Sequence, residues 1–138
     1  MFGLFKRKPQ ELPKFEEIRT SEFGNKYFGR AKPWDWLNEE MIHVFDPSTA
    51  KWITMDPWFQ QIYLAAEGKM TLLEFAINIA KMYSKRQGIP EGLDTMLLAY
   101  FRQLHNDMKL LKLSLQPFEL EKNHKLTMSE YGKLKENN

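Results

Sequence analysis

The dipeptide Asp56-Pro57 divides the middle of the chain into two incompatible hydrophobic rhythms. Before it, Lys51-Trp52-Ile53-Thr54-Met55 reads as a strand. After it, Trp58, Phe59, Ile62, Tyr63 and Ala66 recur at helical spacing. Asp56 can cap the first helical amides, and Pro57 suits the first helical position, where its missing N–H removes no hydrogen bond. A strand therefore ends at Met55, and a short helix runs from about Pro57 to Glu67 with Gly68 as its left-handed stop.

The segments on either side extend this switch into a fold. Upstream, Trp34-Asp35-Trp36 alternates, Asn38-Glu39 suits a turn, and Met41 to Phe45 is rich in β-favouring residues. Asp46-Pro47-Ser48-Thr49 is a strong turn signal that returns the chain into a partner strand over Ala50 to Met55. Downstream, Thr71-Leu72-Leu73-Glu74 matches a capping box and opens a second helix, which Lys85, Arg86 and Gly88 close. A third helix opens at Ile89-Pro90-Glu91 and keeps one apolar stripe from Leu93 to Leu111. The expected class is α+β: a winged-helix-like domain over residues 32–116, with three short antiparallel strands followed by three helices. Residues 1–31 offer no sustained period and read as a flexible or peripheral N-terminal arm. Residues 117–138 read as a charged C-terminal tail, either a frayed helix or a disordered end.

Composition narrows the function. At 138 residues the chain fits one domain large enough to be stable without crosslinks. It has no cysteine, which excludes disulfides, thiolate metal sites and cysteine nucleophiles; a cytoplasmic setting is the default expectation. Basic residues outnumber acidic ones before residue 34, but the balance reverses between 34 and 116. Affinity for duplex DNA comes mainly from phosphate neutralisation, so an acidic central domain disfavours nucleic acid as a partner. There is no run of about 18 apolar residues to span a bilayer, which limits any membrane contact to the N-terminal arm. Carboxylates, serines and glycines form no recognisable catalytic or phosphate-binding motif. His43, His105 and His124 are too dispersed for a local metal motif. The expectation is a non-enzymatic protein without metal or cofactor.

From Val44 to Leu111 the order of signals resembles the PqqD family, the small peptide chaperones of pyrroloquinoline quinone biosynthesis, and related leader-peptide recognition elements. The resemblance is carried by Val44-Phe45-Asp46-Pro47, Trp52-Ile53-Thr54-Met55-Asp56, Ile62, Glu67-Gly68-Lys69-Met70-Thr71-Leu72-Leu73-Glu74-Phe75 and Tyr100-Phe101-Arg102-Gln103-Leu104. It implies a winged-helix-like fold in which a precursor or leader peptide, destined for a modifying enzyme, adds as an extra strand. The peptide would lie beside the third strand, Ala50 to Met55, in a groove formed with the helix from Leu93 to Leu111.

The candidate peptide-binding residues are accordingly Ala50, Lys51, Trp52, Ile53 and Thr54 on the strand, with Tyr100, Gln103, Leu104 and Asp107 on the helix. Each also has an ordinary structural explanation. Trp52 can be a cross-strand packing residue. Lys51 and Thr54 can be exposed strand positions, and an edge lysine also discourages self-pairing. Tyr100 and Leu104 lie on the dominant apolar stripe, while Gln103 and Asp107 flank it and suit solvated helix surface. A winged-helix DNA binder and a structural subunit of a larger complex are the competing functions. The sequence leaves the peptide, the enzyme and the oligomeric state open.

Overall fold

A computed structural model describes residues 10–137. The expected membrane-contacting stretch, Met1 to Lys8, lies outside them. The α+β class is observed: six α-helices and two small antiparallel sheets among the described residues. In chain order the elements are α1 (Glu16–Thr20), β1 (Tyr27–Arg30), β2 (Trp34–Trp36), β3 (Ile42–Asp46), β4 (Lys51–Thr54), α2 (Pro57–Ala65), β5 (Glu67–Thr71), α3 (Leu72–Arg86), α4 (Leu93–Arg102), β6 (Leu111–Ser114), α5 (Lys122–Lys125) and α6 (Met128–Glu136). One sheet has the order β5-β1-β6 and the other β2-β3-β4.

The local signals act as their chemistry requires. The Asp56 carboxylate accepts a hydrogen bond from the Phe59 amide at 3.0 Å, and Pro57 stands in the first turn of α2. Thr71 and Glu74 form both halves of the capping box that starts α3. In the β3–β4 turn, Asp46 accepts from both the amide and the hydroxyl of Ser48.

Four expectations need correction. Residues 10–31 are not a peripheral arm: Phe15, Ile18, Phe23 and Phe28 are buried, and β1 is the central strand of its sheet. Phe28 meets Phe75 of α3 and Phe101 of α4 edge-on, at 6.0 and 5.2 Å between ring centres. The strands do not all precede the helices, because β5 falls between α2 and α3 and β6 follows α4. The third helix stops short of Leu111. After α4 the chain widens into a π-helical turn over Gln103–Asp107, Lys109 adopts a left-handed φ of 57°, and Leu111 starts β6. The apolar stripe continued across this break because a buried helix face and a buried strand both draw on leucine.

The C-terminal segment, expected to be frayed or disordered, is docked. The Phe118 amide bonds the Gly68 carbonyl at 3.0 Å; the Phe118 ring and the Leu120 side chain lie where a side chain on Gly29 would stand, and the Phe118 carbonyl lies where one on Gly68 would. Gly68 also has a φ of 78°, so two independent constraints exclude a Cβ there. A second capping box, Thr127 with Glu130, starts α6.

Candidate edge-strand site

The geometry of the β2-β3-β4 sheet determines which backbone groups are free. Val44 pairs with Trp34 on one side and Ile53 on the other, and Phe45 pairs with Trp52. The Phe45 amide donates to the Pro33 carbonyl at 2.8 Å, while the Met55 amide donates to the Ile42 carbonyl at 3.2 Å. Backbone groups alternate sides along an antiparallel strand, so Ile42 and Val44 turn theirs toward β4 and His43 and Phe45 turn theirs toward β2. On β4, therefore, Ile53 and Met55 bond inward. Trp52 and Thr54 direct their N–H and C=O groups outward, along the edge of the sheet.

The sheet's two edges are treated differently. On β2, the Trp36 amide is already satisfied by the Asp35 carboxylate at 2.8 Å, and α6 packs alongside, with the amide and hydroxyl of Ser129 donating to the other Asp35 oxygen at 3.0 and 2.6 Å. Burial works to raise the Asp35 pKa, but the Ser129 hydroxyl and the backbone amides of Trp36 and Ser129 outweigh it and hold the carboxyl below its ordinary value. Among the described residues β4 has no such cover: three of its four residues are exposed. This is the arrangement that natural sheets otherwise blunt.

The outer face of the same sheet is aromatic. His43 stacks on Trp52 with ring centres 3.9 Å apart, and Phe45 leans on Trp52 at 5.2 Å. Trp52 remains 46% exposed, so it is a cross-strand packing residue and an exposed surface at once. The opposite face, through Ile42, Val44 and the half-buried Ile53, belongs to the core.

Where β4 ends, a cleft of about 460 Å³ opens against the start of α2. Met41, Met55 and Pro57 provide apolar walls, Glu40 and Asp56 provide carboxylates, and Gln60 and Gln61 line it from the helix. Gln60 takes the position a further β4 residue would occupy: its oxygen accepts from the Ile42 amide and its nitrogen donates to the Glu40 carbonyl, both at 2.8 Å. Gln61 has a buried side-chain oxygen without a hydrogen-bond partner among the described residues.

The sequence-derived candidates separate into two groups. Lys51, Trp52 and Thr54 are exposed on the β4 edge, and Ile53 is half-buried between them. Ala50 belongs to the turn, with a left-handed φ of 55°, so the strand begins one residue later than expected. The helical candidates lie elsewhere, since α4 packs chiefly on α1 and α2 rather than on β4. Tyr100 meets Phe59 of α2 edge-on at 4.9 Å, Leu104 is fully buried, and Gln103 and Asp107 are exposed in the π-helical turn. α2 supplies the helical wall of the cleft beyond the end of β4.

Arg30 was missed altogether. Only 3% exposed, it donates to the carbonyls of Tyr63 and Leu64 at the end of α2 and to those of His124 and Lys125 in α5, and it lies 5.0 Å from the Trp34 ring centre. A guanidinium's five fixed donors suit this task. It joins both sheets to the C-terminal helices and is structural. The three histidines sit on separate elements, and no group of three or more His, Asp or Glu among the described residues is arranged to hold a metal. No described helix is long and apolar enough to cross a membrane. Comparison of the chain with protein-family models, characterised proteins and solved structures returned no match.

Proposed function

We propose that the chain is a non-enzymatic peptide-recognition module that takes an extended peptide as an added strand along β4. The observation that supports this most is the open edge, where the backbone groups of Trp52 and Thr54 face outward while the sheet's other edge is occupied. An incoming peptide would gain main-chain hydrogen bonds at that edge, and its alternate side chains would meet the His43–Trp52–Phe45 face. The resemblance to the PqqD family suggests a precursor or leader peptide presented to a modifying enzyme in the cytoplasm. On this reading α2, rather than α4, forms the wall of the groove.

The alternative of a DNA-reading α4 has less support. Asp94 in its first turn accepts hydrogen bonds from the Glu17 and Ile18 amides of α1, and Arg102 is paired with Glu22 at 2.9 Å. Its acidic start and one of its cations are thus committed to neighbouring elements, which leaves little charge for phosphate.

Proline substitution tests the proposal. At Thr54 the N–H faces outward, so Thr54→Pro removes a donor to the peptide while sparing the bonds to β3; proline is tolerated at such edge positions. Ile53→Pro removes an inward donor and should unfold the sheet. Titration with short precursor peptides encoded beside this gene should show a loss of about tenfold or more in affinity for Thr54→Pro, the worth of a hydrogen bond or two. Lys51→Ala should change affinity about twofold at low salt and negligibly at high salt. Undiminished binding by folded Thr54→Pro, with most binding lost in Lys51→Ala, would rule out strand addition here.

A further inference from the structure

We infer that the cleft at the end of β4 is a specificity pocket for an arginine or lysine side chain of the bound peptide, a reading that rests on strand addition for the peptide's path but on the cleft alone for its chemistry. The cleft begins where β4 stops, at Met55, Asp56 and Pro57, so a strand laid along β4 runs toward it. Met41, Met55 and Pro57 suit the methylene stem of a long basic side chain, which buries its carbons while its head stays polar.

The polar groups left over in the cleft call for a donor. Gln60 is committed at both ends of its amide, and one Asp56 oxygen caps α2. What remains is the Glu40 carboxylate, which is engaged in no hydrogen bond or ion pair within the described residues, and the second oxygen of Asp56. Both are carboxylate acceptors, and guanidinium and ammonium groups carry donors and no acceptor. No basic residue lines the cleft. The N-terminus of α2 faces it and opposes a cation, but its equivalent of about half a positive charge is smaller than the two carboxylates it stands beside. An acidic or neutral polar side chain would meet Glu40 and Asp56 with repulsion or without compensation.

The pocket can be tested apart from the strand. The probes are N-acetyl-arginine methylamide, its glutamine and leucine counterparts, and a heptapeptide of alternating valine and threonine with arginine at its centre. The readout is NMR of the methionine methyl groups, the Gln61 side-chain amide and the β4 backbone amides. The arginine probe should shift Met41, Met55 and Gln61 saturably, and Glu40→Gln should weaken it about tenfold, as expected for loss of a charge-assisted bond. Glu39→Gln, outside the cleft lining, should leave it unchanged. Equal shifts from the leucine probe, or none from arginine, would overturn the pocket. If the arginine probe behaves as expected while the heptapeptide shifts the cleft but not Trp52 and Thr54, the pocket stands and strand addition fails. If the heptapeptide shifts Trp52 and Thr54 equally well with leucine in place of arginine, strand addition stands and the pocket fails.

Discussion

Thr71 and Phe75 stand four residues apart at the start of α3 and stabilise the chain by different means. Thr71 accepts from the Glu74 amide at 3.2 Å and closes a capping box at the surface. Thr71→Ala should therefore cost about 1 kcal/mol, the usual worth of such a cap. Phe75 is 4% exposed and faces Phe28, and Phe75→Ala should cost about 3 kcal/mol or more because a cavity is left behind. Chemical denaturation checks both, and equal losses would mean that the ring does not fill the core as described. Both roles were legible from the sequence, because a cap and a helical stripe are written in neighbouring residues. The role of Arg30 was not, since its four carbonyl acceptors lie 33 to 95 residues away.

At the scale of elements, local grammar was most informative where a turn or cap fixed the boundary. Asp46-Pro47, Asp56-Pro57 and Thr71–Glu74 placed β3, β4, α2 and the start of α3. It failed where pairing is non-local: β1 has no strand-like alternation of its own, and it is a strand because β5 and β6 hydrogen-bond to it from far along the chain. The docking of α5 is similar, and it carries a pH dependence. Burial holds the His124 imidazole below its ordinary value of 6.5; Glu121 opposes this, and Lys32 and Arg30 add to it. Below 6.5 the unfolded chain takes up this proton before the folded chain does. Stability should thus fall as pH drops through 6.5, and level off once the folded imidazole is protonated too. Asp35 and Glu119, whose carboxyls are held low, should lose their contributions only further down, in the carboxylate range. The indole of Trp34 donates to the His124 carbonyl at 2.9 Å, so urea midpoints followed by tryptophan fluorescence from pH 7.5 to 5 should decline in the wild type and stay flatter in His124→Gln. Parallel curves would assign the decline to another group.

For the whole molecule, the two sheets do unlike work. The β5-β1-β6 sheet is closed in, with α3 and α4 on one face and Phe118 and Leu120 on the other. The β2-β3-β4 sheet buries one face and presents an aromatic one, with an edge that nothing in the described chain covers. The strand half of the candidate site could be read from sequence because an edge follows from three strands in hairpin order. The facing helix could not, because which helix lies beside β4 depends on how α1 fills the space against α4. The central claim is that β4 receives a peptide through its outward backbone groups. Residue-resolved hydrogen exchange tests it most directly, in the free protein and with a bound precursor peptide. The Ile53 and Met55 amides, bonded to β3, should be protected in both states. Those of Trp52 and Thr54 should exchange fast in the free protein and slow by about tenfold or more on binding, as hydrogen-bonded strand amides do. Saturating binding that leaves Trp52 and Thr54 exchanging as fast as before would contradict strand addition at this edge.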